Sequence, residues 1–275
     1  MTLWNLLAVN GAAALLVMIL AWVVHLLTGK ASVADSFWGP GFAVIAWLSY
    51  ALGQGDPGRK TLMAVLVTVW ALRLAFHITR RSIGKPEDAR YADMRAGHQR
   101  WFWLRSLPTV FLLQGAIIWV VSLPVQLGMH GPAPAALTLL DWLGLLFWCL
   151  GFFFEVLGDE QLRRFKADPA NRGKTLDRGL WAYTRHPNYF GEMLMWWALF
   201  LMAVQVRGGL WSGVGPLLLT VLLLKVSGVS LTEKKMGQTH SDLAAYRLRV
   251  SPFFPWPPKR NRDDEITQET KKASE

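Results

Sequence analysis

The sequence predicts an all-α fold: a polytopic integral membrane protein of seven transmembrane helices, with its N-terminus outside and its C-terminus cytoplasmic. Three observations predict it. Hydrophobic residues make up 52% of the 275 and charged residues only 17%, where an ordinary soluble domain carries about 25% charged. The apolar residues stand in blocks of about 20, the length a helix needs to cross a bilayer. The basic residues fall almost entirely on one side of those blocks.

The first block, residues 3–28, is too long for the core of a cleaved leader, and no basic residue precedes it, so it reads as a retained span. Residues 33–53 form the second span, with Asp35 near its cytoplasmic start. The third, 61–79, carries Arg73 roughly two turns from its cytoplasmic end. Residues 106–129 and 135–157 form the fourth and fifth. The fifth holds Cys149, the only cysteine, so an intramolecular disulfide, a cysteine-based metal cluster and a redox pair are all excluded. The sixth, 187–205, is short and contains Glu192, and the seventh covers 209–230. The scattered Trp and Phe residues suit lipid-facing, interfacial or packing roles.

Seven spans sort the charges. The loops after the first, third and fifth spans share a side with the C-terminal tail, and that side holds 24 of the 29 Lys and Arg residues. Arg59, Lys60 and Arg207 lie opposite, while Arg73 and Lys225 fall within spans. The positive-inside rule makes the basic side cytoplasmic. Topology therefore accounts for the net charge of +10 without nucleic acid. Residues 1–257 read as a single membrane domain without internal repeats. Residues 258–275 read as a disordered cytoplasmic tail, polar and mixed in charge. The expected state is a monomer among membrane lipids, in a bacterial inner membrane rather than the endoplasmic reticulum.

Chemistry is expected in the two long cytoplasmic loops, about 80–105 and 158–186. Both mix Arg with Asp, Glu, Tyr and His, and orientation alone requires only the basic residues. The sharpest segment is TRHPNYFGE, residues 184–192. Pro187 disfavours helix at His186 and suits the first helical turn, so the sixth span starts there with free amide donors that attract anions. Asn188 and Glu192, four apart, share one helix face. A charge at the bilayer centre costs roughly 2.5–3.5 kcal/mol and less near the surface, so Glu192 needs either a ligand or an Arg partner. Asp35 is either the partner of Arg73 or an acid whose burial raises its pKa. Glu155, Asp159 and Arg163 recur every fourth residue and stack on one face, as a salt-bridge ladder or a ligand-facing edge. There is no GxGxxG, GxxxxGK[ST], HExxH or HxxEH pattern, so neither a Rossmann domain nor a metal site is expected.

These segments, DSFWGPGF (35–42), WALRLAFHITRR (70–81), EDARY (87–91), GDEQLRRFK (158–166), LWAYTRHPNYFGE (180–192) and YRLRVSPFFP (246–255), resemble the steroid 5-alpha-reductase family, in a branch of prokaryotic look. The resemblance covers nearly the whole chain and is most specific between 158 and 192. It implies a seven-helix membrane enzyme that uses NADPH to reduce an activated C=C bond, typically in a 3-oxo-Δ4 steroid, a hydrophobic substrate. Matched residue by residue, it implies cofactor contacts from Asp159, Arg163, Lys174, Tyr183, Asn188 and Glu192. Arg164, Lys166 and Arg172 suit the phosphates, and Arg185, His186 and Tyr189 follow from their place in the motif. On the substrate side the family uses a Glu and a Tyr; Asp35 is the nearest equivalent of the Glu, and Trp70 stands where the Tyr is sought. Asp35, Trp38 and Tyr91 form the candidate catalytic set, Tyr91 from the first cytoplasmic loop.

The implied reaction is hydride transfer to the β-carbon of an enone and protonation at the α-carbon, with a protonated Asp35 donating to the developing enolate oxygen. The alternative is an S-adenosylmethionine-dependent membrane methyltransferase of the isoprenylcysteine type, suggested by RHPxYxG followed by Glu. The dense Lys/Arg loop from Arg163 to Arg185 favours a cofactor with three phosphate groups. A non-enzymatic lipid carrier would spread polar groups through the midplane, whereas here the ionisable residues gather at one face.

Overall fold

Each apolar block becomes helical in the computed structural model, which describes residues 1–97, 100–132, 134–226, 228–240 and 242–259. In chain order these are α1 (Leu3–Thr28), α2 (Val33–Leu52), α3 (Pro57–Ser82), α4 (Ala89–Ala96), α5 (Phe102–Val121), α6 (Leu123–Gly128), α7 (Leu139–Ala167), α8 (Pro187–Ala203), α9 (Val214–Val221), α10 (Val229–Gly237) and α11 (Leu243–Arg249). Among the described residues the only extended pairing is an isolated bridge between Thr184 and Ser251. Five stretches are long and apolar enough to cross a membrane: α1, α3, α5, α7 and Gly209–Thr239. The chain is a multi-pass helical membrane protein. The expected second and sixth spans are helices too, α2 and the 17-residue α8. The tail from 260 onward lies outside the described residues.

Local chemistry sets the helix ends. Thr2 caps α1 by accepting from the Asn5 amide, and Gly29 closes it at φ +71° while donating to the His25 carbonyl, the left-handed turn that glycine tolerates best. Asp56 caps α3 ahead of Pro57. α7 runs to Ala167, well past the apolar block that ends at 157. Hydropathy marks the membrane rather than the helix. The extension is supported by Glu160, which pairs with Arg163 and Arg164 one turn on, at 2.6 Å each. α5 contains a π-helical turn at Leu107–Leu112, a local widening often found at functional positions.

The chain divides into two compact units. The first comprises Met1–Leu146 and Trp196–Leu218. In it α2 packs along α3, and both α1 and α2 pack on α5. A Cβ at Gly39 would collide with the Ala71 backbone, which is why α2 and α3 can approach so closely. The core centres on Phe42, whose ring lies 5.3 Å from Trp70 and 4.7 Å from Trp196. Trp70, placed by the resemblance where the family's Tyr is sought, is 2% exposed and packs in this core. Arg59 and Asp141 form a fully buried ion pair, and Asn10 donates to Ser49 and to Gln126, which donates to Ser122.

The second unit comprises Phe147–Met195 and Leu219–Glu275. Here α7 crosses the start of α8 on glycines. A Cβ on Gly191 would stand 2.6 Å from the Glu155 amide nitrogen, and one on Gly158 would stand 3.2 Å from that of Asn188. Gly191→Ala is expected to cost roughly 1–3 kcal/mol through overpacking, because backbone cannot yield as a side-chain tip can. A drop of several degrees in the unfolding midpoint of the detergent-purified variant checks it; an unchanged midpoint refutes the close crossing.

Candidate functional site

In the first unit the three candidate catalytic residues meet in one hydrogen-bonded chain. Glu87 accepts from the Ala31 amide and from Arg95, which fastens the segment before α4 to the α1–α2 turn. Asp88 then caps α4 through the Arg90 amide and accepts from Arg90 Nε at 3.0 Å. This aims Arg90 Nη2 at Asp35 Oδ2, 2.7 Å away. The buried Tyr91 donates its hydroxyl to Asp35 Oδ1 at 2.6 Å and accepts from Gln114 Nε2 at 3.1 Å. Gln114 Oε1 in turn accepts from Trp38 Nε1 at 2.8 Å. Asp35 and Trp38, three apart on α2, share a face.

The sequence offers Asp35 either as a protonated acid in an apolar pocket or as the partner of Arg73. The structure gives it Arg90 and Tyr91 instead, so it is an acceptor between two donors. Burial, and after it the neighbouring Asp35, push the Tyr91 phenol well above its usual range. Burial works against the charge of Arg90, but Asp35 and the bond to Asp88 outweigh it and hold that guanidinium more firmly protonated. Donors, rather than an acid, dominate the cluster.

In the second unit the candidate cofactor residues fall into separate groups. Asp159 on α7 accepts from Asn188 Nδ2 on α8 at 3.0 Å, while Asn188 Oδ1 is buried without a partner. Arg163 turns to Glu160 instead of continuing a ladder with Asp159 and Glu155. Arg164, also paired with Glu160, lines a cavity of about 370 Å³ with Gln161, Phe165, Asp168, Asn171 and Arg178. That size lies within the roughly 300–1,000 Å³ of small-molecule sites. The Arg178 guanidinium sits 6.0 Å over the Phe165 ring. Lys166, Arg172 and Lys174 are exposed, as is Tyr183. Arg185 and His186 are drawn, with Arg247, onto Glu233 at 2.9, 3.3 and 3.0 Å. His186 stacks on Tyr189, whose hydroxyl lies 3.5 Å from that of Thr232. Glu192 is half-buried one residue past Gly191.

Of the residues expected at the phosphates, Arg164 lines this cavity. Glu160 holds Arg163 and Arg164, and Glu233 holds Arg185 and Arg247. The loop from 168 to 186 is held by bonds to α7 and to the C-terminal segment. Thr175 donates its amide and hydroxyl to Asp242, the Leu180 amide bonds Gln161, and Trp181 Nε1 donates to the Gly158 carbonyl. Opposition by the Thr175 donors outweighs burial and holds the Asp242 carboxyl below its usual range. The C-terminal stretch adds the Tyr246 hydroxyl on the Trp181 carbonyl, the Arg185 amide on the Ser251 carbonyl, the Thr184 hydroxyl on the Phe253 carbonyl, and the Trp256 amide on the Tyr183 carbonyl.

Helical multi-pass architecture and a polar donor cluster between helices place the protein among helical membrane proteins with a built polar site. The chain belongs to the family described as Protein of unknown function (DUF1295), which matches residues 21–250 and is steroid 5-alpha-reductase-like. A protein of Schizosaccharomyces pombe, named Uncharacterized protein C594.04c, is 25% identical over 258 residues, covering 85% of this chain and 75% of that one. No solved structure matches.

Proposed function

We propose that the protein is an NADPH-dependent membrane reductase of an activated C=C bond, with the Δ4 bond of a 3-oxo-steroid as its substrate class. The observation that carries the reading is the chain from Trp38 through Gln114 and Tyr91 to Asp35, which gathers hydrogen-bond donors inside an apolar helical unit. Such a cluster suits a carbonyl oxygen on which negative charge develops. Membership of a reductase-like family supports it. In the second unit, the buried and unpartnered Asn188 Oδ1 and the cavity with Arg164 and Arg178 fit a phosphate-bearing cofactor with a polar ring substituent.

When bound, NADPH supplies the hydride for the enone β-carbon. Asp159 and Asn188 on facing helices would hold its polar atoms, and Arg164 and Arg178 its phosphates. Asp35 fixes Tyr91 and balances Arg90, so that both keep their orientation as charge grows on the substrate oxygen. Trp38 holds the Gln114 amide oxygen through its indole N–H. Protonation at the α-carbon completes the saturation.

Titrating the detergent-purified protein with NADPH, NADH and S-adenosylmethionine tests the reading, together with loss of reduced-nicotinamide absorbance when a steroid enone is added. NADPH binding and enone-dependent oxidation are expected. Saturable binding of S-adenosylmethionine alone overturns it in favour of a methyltransferase. Seven crossings, with the N-terminus outside, belong to the same proposal. In a Cys149→Ser background, Lys85→Cys should react with an impermeant thiol reagent only from the cytoplasmic side and Arg207→Cys only from the other. The reverse pattern sinks that topology.

A further inference from the structure

Hydrogen-bond accounting among Trp38, Tyr91 and Gln114 leaves a donor over. The Trp38 indole has one N–H, and it goes to Gln114 Oε1. Tyr91 has one O–H, and it goes to Asp35. The Gln114 amide has two N–H groups. One is given to Tyr91 at 3.1 Å, and the described residues offer the other no acceptor. Gln114 is half-buried on α5, just beyond the π-helical turn at Leu107–Leu112, within the apolar run FLLQGAII. A polar side chain placed there is costly unless its groups are satisfied, and an amide clamped at its oxygen and at one N–H cannot rotate away to find water.

We propose that Gln114 is a further catalytic residue, its second amide N–H donating to the carbonyl oxygen of the substrate and holding it as it becomes an enolate. The inference rests on the enone-reductase reading above. Trp38 and Tyr91 fix the amide plane before substrate arrives, so the donor needs no reorganisation during the reaction. A primary amide does not give up its proton at ordinary pH, so Gln114 makes and breaks no covalent bond. Hydride goes to the β-carbon and a proton from water to the α-carbon. The role also explains why Tyr91 can spend its own proton on Asp35: its part is to hold Gln114 in place from one side while Trp38 does so from the other.

Two variants test it. Gln114→Met keeps the shape and loses both polar ends. Gln114→Glu keeps an acceptor for Trp38 and loses the N–H. The first readout is the ultraviolet band of a bound steroid enone in the absence of NADPH, which moves to longer wavelength when its carbonyl accepts a hydrogen bond. The second is kcat/KM for NADPH-driven reduction. Wild type should show the band shift, and both variants should lose most of it and fall about 10²-fold or more in kcat/KM, with NADPH affinity unchanged. Should the Met variant fail to fold, the Glu variant decides. Wild-type turnover, with the shift and kcat/KM of the variants within about threefold of it, overturns the role of Gln114 alone. A wild-type protein that neither shifts the enone band nor oxidises NADPH overturns the underlying reading, and this role with it.

Discussion

Asp141→Ala is expected to destabilise the protein by about 3–5 kcal/mol, the cost of leaving one member of a buried ion pair alone. Arg59 Nε and Nη2 meet the two carboxylate oxygens at 2.7 and 2.8 Å, and both side chains are wholly buried. The carboxylate also accepts from the Thr138 amide and from Gln205 Nε2. It is therefore the common anchor for the segment before α7, the end of α8 and the first turn of α3. Arg59 already has Nη1 buried without a hydrogen-bond partner, so little remains to solvate it once the carboxylate is gone. Asp141→Asn keeps the shape and should cost less. The double variant Arg59→Met with Asp141→Leu should recover most of the loss, because a packed apolar pair can replace a buried ionic one. Chemical unfolding of the detergent-purified proteins measures all three. A single-variant loss below about 1 kcal/mol would mean the pair behaves like an exposed one.

The second large effect is on turnover. Asp35→Ala should lower reduction of a steroid enone about 10²–10³-fold, leaving NADPH affinity largely intact. Without Asp35, Arg90 and Tyr91 lose their shared acceptor and the chain through Gln114 loses its far anchor. Asp35→Asn, which can still accept from Tyr91, should lie between. Full turnover by Asp35→Ala removes the residue from the mechanism.

The same cluster sets an alkaline limit. Burial and Asp35 raise the Tyr91 phenol in the folded protein above its unfolded value, which is about 10. Its contribution to stability is thus complete below about pH 10 and is lost as pH climbs from there towards the folded value. The difference in unfolding midpoint between wild type and Tyr91→Phe should shrink over that climb. A difference that stays constant from pH 8 to 11 excludes the phenol as its source.

Much of the fold is legible in the sequence because membrane burial needs long apolar runs. Those runs locate α1, α2, α3 and α8 to within a few residues. What hydropathy does not report is helix outside the bilayer, which is why the last ten residues of α7 read as loop. Asp35 stands out as a charge at a span's start, and Tyr91 as an aromatic in a loop richer than orientation requires. Gln114 carried the same kind of signal, a lone amide in an apolar run, yet a neutral residue is easy to pass over in a count of charges. Arg59 and Asp141 lie 82 residues apart, and nothing local to either announces the other. Glu233 sits just past the last apolar block among lysines, where its pull on Arg185, His186 and Arg247 depends on tertiary folding alone.

The fastening of residues 181–185 by the stretch from Tyr246 to Trp256 has a consequence for biosynthesis. Those bonds come from the last part of the described chain to leave the ribosome, whereas the Arg-His-Pro turn they hold emerges some sixty residues sooner. The turn must wait, unfinished, while the whole of α9 and α10 is made. A message truncated just ahead of Tyr246 would still encode every apolar helix and could still enter a membrane, yet it would yield a product whose Arg-His-Pro turn never sets.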